Sequence, residues 1–314
     1  MSRLGFEGRV AVVTGAGRGI GRSHALLLAA RGATVVVNDI GVDVRGEDAS
    51  EDPAREVVGE ISRAGGRAVI STDSVATQDG CRDLIDLTLE KCGRIDVLVH
   101  NAGRNLGAFD DIMKVHVGAA QWLTDGVWDS MVDQGTGRIV LTTSAAGLYG
   151  DGSGPGPNPK QPYATAKAAL IGLTKALAVR GALVNIKANA ISPTASTRLV
   201  PLNRSIANSR PGAPPASATV DWVAANAPAR LVAAGALWLM HESCPVSGRL
   251  FAVGAGRVGE IFIGVTRGYV AGGELDPDAV LAHLDDICDL ADYYVPVDMG
   301  DYAKWMRSII PGGS

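Results

Sequence analysis

Val10-Ala11-Val12-Val13-Thr14-Gly15-Ala16-Gly17-Arg18-Gly19-Ile20-Gly21 begins as an apolar run and then turns through four glycines. The first four residues suit a strand buried on both faces. Ala25-Leu26-Leu27-Leu28 beyond the turn suits a helix. Gly15, Gly19 and Gly21 permit a tight turn, close approach of backbone to a diphosphate, and close helix packing. Arg18 and Ile20 occupy the same turn, where the start of the helix offers unpaired N–H groups and a partial positive charge. A glycine triplet alone is weak evidence. Here a second strand, Thr34-Val35-Val36-Val37, ends in Asn38-Asp39 at the distance a dinucleotide-binding βαβ unit requires.

Asp39 bears on which dinucleotide binds. A carboxylate at that strand end accepts hydrogen bonds from ribose hydroxyls and repels a 2′-phosphate. Arg18 pulls the other way, because a basic loop residue can accompany that phosphate. Ile40 follows Asp39, so the next position adds no cation. The balance predicts NAD over NADP.

Tyr163-Ala164-Thr165-Ala166-Lys167 places a phenol and an ammonium four residues apart. On a helix these positions share one face, roughly 5–6 Å apart at Cβ. Moving a tyrosine from a pKa of about 10 to near 7 takes roughly 4 kcal/mol. A unit charge roughly 4 Å away at an effective dielectric of about 20 supplies about that much. Such a tyrosine exchanges a proton at neutral pH. Read alone, the pair is surface decoration more often than chemistry. Arg138-Ile139-Val140-Leu141-Thr142-Thr143-Ser144 adds a buried strand ending in a hydroxyl, at the sheet edge where open parallel sheets bind ligands.

Taken together, Thr14–Gly21, Asn101-Ala102-Gly103, Ser144 and Tyr163-x-x-x-Lys167 resemble the short-chain dehydrogenase/reductase family over about residues 5–255. The resemblance implies that Tyr163 is the general acid/base. It implies that Lys167 lowers the tyrosine pKa and holds the nicotinamide ribose, and that Ser144 positions the substrate oxygen. Asn38–Asp43, Asp73-Ser74-Val75, Val115-His116-Val117 and Ser192-Pro193-Thr194-Ala195 are similar to one branch. That branch holds the NAD-dependent 3-hydroxyacyl-CoA dehydrogenase domains of peroxisomal multifunctional enzymes of type 2, with bacterial hydroxysteroid-dehydrogenase-like relatives. By that likeness Asp73 and Ser74 lie near the adenine, and Asn101, Ala102 and Gly103 line the nucleotide cleft after the strand Val97-Leu98-Val99. Pro193 and Thr197 flank the nicotinamide, with Thr197 holding its carboxamide.

Three departures stand out. His116 sits where most of the family has an asparagine that holds a relay water, and is read either as a branch trait or as a half-buried histidine without a role. Only Arg104–Val115 separates Gly103 from His116, a shorter stretch than in relatives, which cuts back one wall of the substrate cleft. Nineteen positions separate Ser144 from Tyr163, more than is usual. The Gly- and Pro-rich stretch Gly150–Gln161 takes up the excess as a loop, at small entropic cost.

With 314 residues and 46% hydrophobic content, the chain can bury a large core. Strands alternate with helical stretches near 53–64, 77–91, 111–132, 163–180 and 228–242. The expected fold is therefore α/β, a single doubly wound parallel sheet with helices on both faces. Residues 1–255 form the catalytic domain, including a lid at about 196–220. Residues 256–314 form a C-terminal extension packed on the same domain, with a helix near 277–290. A net charge of −4 and the lack of a dense basic run argue against nucleic acid. Neither a signal peptide nor a membrane-length apolar run is present. Cys81, Cys92, Cys244 and Cys288 show no CxxC spacing, so buried or surface thiols in a cytoplasmic, metal-free protein are expected.

The residues thus point to an NAD-dependent oxidoreductase interconverting a secondary alcohol and a ketone. Its substrate would be bulky and apolar, a 3-hydroxyacyl-CoA or a hydroxysteroid, and by resemblance it would be a homodimer or homotetramer. The alternative is a nucleotide-binding regulator on the same fold with weak or no turnover.

Overall fold

Runs of Val, Ile and Ala with no polar interruption pair into a parallel sheet, because both of its faces must be covered. The computed structural model describes residues 4–43, 47–150, 160–198, 217–272 and 274–310. Strands β1 (Val10–Thr14), β2 (Thr34–Asn38), β3 (Arg67–Ser71), β4 (Val97–His100), β5 (Gly137–Thr142), β6 (Ile186–Thr194), β7 (Leu250–Gly254) and β8 (Arg257–Ile261) make one sheet. Its order is β3-β2-β1-β4-β5-β6-β7-β8. Every pair from β3 through β7 is parallel. β8 returns through a two-residue turn in which Ala255 and Gly256 both have positive φ, at 50° and 78°, the geometry of an antiparallel hairpin. The doubly wound sheet is the fold the sequence predicts. β3 was not expected as a strand, because Arg67-Ala68-Val69-Ile70-Ser71 lies on the sheet edge and is only half-buried.

The winding reverses at β1, which pairs with β2 on one side and β4 on the other. The crevice beyond such a reversal is where open α/β sheets take ligands. Helices α1 (Gly19–Ala30), α2 (Asp52–Arg63) and α3 (Gln78–Cys92) follow the first three strands. The helix expected over 111–132 is broken. It begins as α4 (Phe109–Met113), passes through a π-turn at Lys114–Gly118, and resumes as α5 (Ala119–Asp133). Apolar periodicity alone does not reveal one extra residue in a turn. A short α6 (Ala146–Tyr149) and the long α7 (Gln161–Gly181) flank β5 and β6. A further helix, Ala229–Met240, packs against α1.

The chain divides into units of residues 1–260 and 261–314. In the second, Val265–Thr266 pairs antiparallel with Tyr293–Tyr294. Asp276 caps the short helix Pro277–Ala282, and Asp298 caps Met299–Ile309, a helix the sequence reading did not anticipate. Residues 199–216 of the expected lid, and 151–159 of the expected long loop, lie outside the described residues.

Arg138 ties together several loops at the far edge of the sheet. Its buried guanidinium donates to the carbonyls of His241 (3.1 Å), Gly137 (2.7 Å), Asn185 (2.9 Å) and Glu242. Arg138→Met keeps the aliphatic stem and removes these four bonds, although the His241 and Asn185 carbonyls keep backbone donors in Cys244 N and Gly137 N. At roughly 0.5–1.5 kcal/mol net for each bond lost, a loss of about 3 kcal/mol is expected, measured by urea unfolding. A loss below about 1 kcal/mol would contradict this account.

His24, on the buried face of α1, is 1% exposed, and neither ring nitrogen has a partner among the described residues. Burial lowers its pKa to about 4. As pH falls below about 6.5, the unfolded chain takes up a proton that the native chain refuses, so stability declines down to about pH 4. His24→Leu should raise stability and flatten this decline without abolishing it, because burial also holds His100 and His116 neutral. Unfolding curves across that range would show an unchanged slope if the idea is wrong.

Candidate active site

A cleft of about 680 Å³ lies at the carboxyl edge of the sheet. Its floor is the glycine turn. Gly15 and Gly19 have φ of 63° and 58°, left-handed values that glycine tolerates best. A Cβ on Gly15 would stand 2.9 Å from Ala102 Cα, and one on Gly21 would stand 2.2 Å from the Gly15 carbonyl. A Cβ on Gly19 would come within 3.4 Å of Thr197 Cγ2, so the gap between these two residues depends on a missing side chain. Arg18 makes no side-chain hydrogen bond to the start of α1, and the helix's first N–H groups stay available to an anion. These features fit a dinucleotide diphosphate.

One end of the cleft is organised by Asp39. Its carboxylate accepts from Gly17 N (2.8 Å) and Gly41 N (2.7 Å), which fixes the side chain and leaves lone pairs for a further donor. Arg18 donates to the carbonyls of Gly41 and Val42, and Arg198 reaches the same Val42 carbonyl at 2.8 Å. Sequence reasoning did not single out Arg198; its guanidinium faces Asp39 and Asp43 as well as Arg18. Asn38 Nδ2 donates to Ser71 Oγ and to the Asp73 carbonyl, and Ser71 Oγ donates to Asp73 Oδ2 at 2.9 Å. Asp73 and Ser74 are thereby held on the cleft wall.

At the other end, Asn101, Ala102, Gly103, His116, Ser144, Tyr163, Lys167, Pro193 and Thr197 line the same cleft. Of the residues expected at the site, Gly17 and Gly21 support the wall without lining it. Asn101 does more than line the cleft: its Nδ2 donates to the Thr14 and Gly15 carbonyls. The Lys167 ammonium, fully buried, donates to the Thr142 carbonyl at 2.6 Å and lies 5.7 Å from the centre of the Tyr163 ring. The two side chains therefore share one face of α7. Burial lowers the Lys167 pKa to about 7. Ser144 Oγ accepts from Ala146 N at 3.2 Å, which leaves its O–H to donate elsewhere.

Ser144 reaches this position because α6 presses against α7. A Cβ on Gly147 would stand 2.6 Å from Ala168 N and 2.7 Å from the Lys167 carbonyl carbon, so only glycine permits the contact. The sequence signal was a glycine three positions beyond a strand-end serine, and it went unread. His116 proves fully buried. Its ring packs edge-on to Tyr163 at 5.5 Å between centroids, and Nε2 lies 2.9 Å from the Arg104 carbonyl. A Cβ on Gly103 would strike His116 Cε1 at 2.1 Å. Burial, reinforced by the Lys167 charge, keeps the ring neutral. No His/Cys/Asp/Glu cluster fit for a metal exists among the described residues, and no helix there is long and apolar enough to cross a membrane.

The family model described as short chain dehydrogenase matches residues 9–207. The chain is 38% identical over 310 residues to mouse (Mus musculus) peroxisomal multifunctional enzyme type 2, covering 94% of this chain and 38% of that protein. A crystal structure of a short chain dehydrogenase from Mycobacterium avium superposes with a TM-score of 0.68 at 31% identity, covering 92% of this chain and 99% of its own. A 7α-hydroxysteroid dehydrogenase complexed with NADH and 7-oxo glycochenodeoxycholic acid superposes with a TM-score of 0.65 at 27% identity, covering 82% and 98%.

Proposed function

Because this chain belongs to the short-chain dehydrogenase/reductase family, we propose that it is an NAD-dependent oxidoreductase interconverting a secondary alcohol and a ketone on a bulky apolar substrate. A 3-hydroxyacyl-CoA or a hydroxysteroid is the substrate class. One observation carries the proposal: a buried ammonium stands against the Tyr163 ring in the cleft that also holds Ser144 and the glycine turn.

A bound nicotinamide supplies the hydride acceptor. Ser144 O–H donates to the substrate oxygen and holds it beside Tyr163. The Tyr163 phenolate takes the hydroxyl proton while hydride leaves the carbinol carbon. Lys167 stabilises that phenolate, and the phenolate in turn favours the charged form of a lysine that burial disfavours. Reduction of a ketone runs the same steps backwards, with Tyr163 donating. Neutral His116 packs against the Tyr163 ring and fixes its face. Since the chain spans 38% of the mouse relative's length, the activity proposed is that of a dehydrogenase alone. It works as a cytoplasmic homodimer or homotetramer on this reading.

The experiment is NADH formation from NAD with a panel of 3-hydroxyacyl-CoAs, hydroxysteroids and simple secondary alcohols. Turnover concentrated in one of the first two classes is expected. Turnover of small alcohols alone would remove the substrate assignment. For the cofactor, the Asp39 carboxylate, held by Gly17 N and Gly41 N, supports NAD, because it would repel a 2′-phosphate brought beside it. At about 1.4 kcal/mol per factor of ten, one unfavourable contact is worth one to two decades. Catalytic efficiency with NAD is expected to exceed that with NADP by roughly 10–100-fold. A preference for NADP would overturn this.

A further inference from the structure

His100, the last residue of β4, is buried and takes no part in the chemistry proposed above. Its Nδ1 lies 3.1 Å from Thr14 Oγ1, and its Nε2 lies 3.1 Å from the His116 carbonyl. A carbonyl can only accept, so Nε2 carries the proton and Nδ1 is the acceptor. Thr14 must then donate its O–H to His100. That leaves the Thr14 oxygen lone pairs to accept from Asn101 N and Ala102 N, each at 3.1 Å. Each bond in this chain fixes the direction of the next, and none of its members is exposed.

The two ends of the chain are functionally different. Thr14, Asn101 and Ala102 shape the turn over the nucleotide floor, where a Cβ on Gly15 would already touch Ala102 Cα. The His116 carbonyl belongs to the π-turn at Lys114–Gly118, whose irregular winding sets the place of the imidazole packed on Tyr163. We infer that His100 is a positioning residue that locks the dinucleotide turn to the π-turn behind Tyr163. It thereby couples the shape of the nucleotide site to the alignment of the acid/base. Its one rigid ring brings a donor to one segment and an acceptor to the other. A phenylalanine would fill the volume and carry neither.

The inference rests on the dehydrogenase reading for its kinetic arm only. In wild-type protein, nitrogen-15 NMR of the His100 ring reads the tautomer without substrate, and an Nε2–H ring at neutral pH is expected. A protonated ring or an Nδ1–H tautomer would overturn the proposal, whatever the enzyme turns over. In the kinetic arm, His100→Phe and Thr14→Val cut the chain at different links. His100→Phe is expected to lower kcat at least 10-fold in the folded fraction while the Kd for NADH, read by fluorescence, changes less than 3-fold. Thr14→Val, which also strips the acceptor from Asn101 N and Ala102 N, is expected to lower kcat and to raise that Kd. His100→Asn, which restores a donor and an acceptor, should recover part of kcat. Loss of stability with unaltered kcat would reduce His100 to a packing residue and sink the idea. If both cut variants fail to fold, the tautomer measurement still decides. If wild-type protein turns over no alcohol, the dehydrogenase reading fails while the tautomer arm stands.

Discussion

Tyr163→Phe is expected to lower turnover by roughly 10²–10⁴-fold, the usual worth of a positioned general acid/base, while NADH still binds. The change removes one oxygen and leaves the ring that His116 packs against edge-on. Nothing in the fold is asked to move. Ser144 would still hold the substrate oxygen, and the glycine turn would still hold the nucleotide. What disappears is the group that takes the hydroxyl proton as hydride leaves. A variant retaining more than about a tenth of wild-type kcat would remove Tyr163 from its role.

Lys167→Met should act in two opposite directions. Turnover should fall by a factor similar to that for Tyr163→Phe, because an ammonium can no longer stabilise a phenolate. Stability should rise. A lysine lowered from 10.5 to about 7 is a cation that the fold buries at a cost, several kcal/mol at about 1.36 kcal/mol per unit. The unfolded chain keeps that proton up to about pH 10.5, whereas the native chain releases it above about pH 7. Between these values the wild type gains stability as pH rises. The variant's advantage is therefore greatest below pH 7 and fades above it. Met recovers the stem's burial but loses the bond to the Thr142 carbonyl, which makes the gain smaller than the full burial cost. Such an exchange of stability for activity marks a functional group rather than a packing one. Lower stability together with lower turnover would assign Lys167 a structural part instead.

The sheet was legible because its central strands are uninterrupted apolar runs, whereas the strand order that reverses at β1 shows only in the fold. Tyr163 and Lys167 were legible through their spacing, and Ser144 through its place at the end of a strand. Less visible were contacts made by residues that carry no chemistry of their own. Gly147 and Gly103 matter through the side chains they lack, and only coordinates show Lys167 backbone and His116 filling that space. Arg198 and Asp39 are far apart in sequence and meet only because β2 and β6 deliver their loops to one edge. The π-turn is hidden for another reason: one added residue leaves the apolar faces of α4 and α5 periodic on either side. Met299–Ile309 has no fully buried residue, yet its half-buried Tyr302, Trp305, Met306 and Ile309 recur at helical spacing, a pattern that went unread.

The central claim is proton transfer to Tyr163 concerted with hydride loss from the substrate. It is tested most directly by following deuterium from the carbinol carbon of a 3-hydroxyacyl-CoA or hydroxysteroid. Wild-type protein should deliver the label to the nicotinamide ring of NADH, and Tyr163→Phe should bind the same cofactor and deliver almost none. NADH binding by wild-type protein with no label transferred from any alcohol in either class would contradict the account.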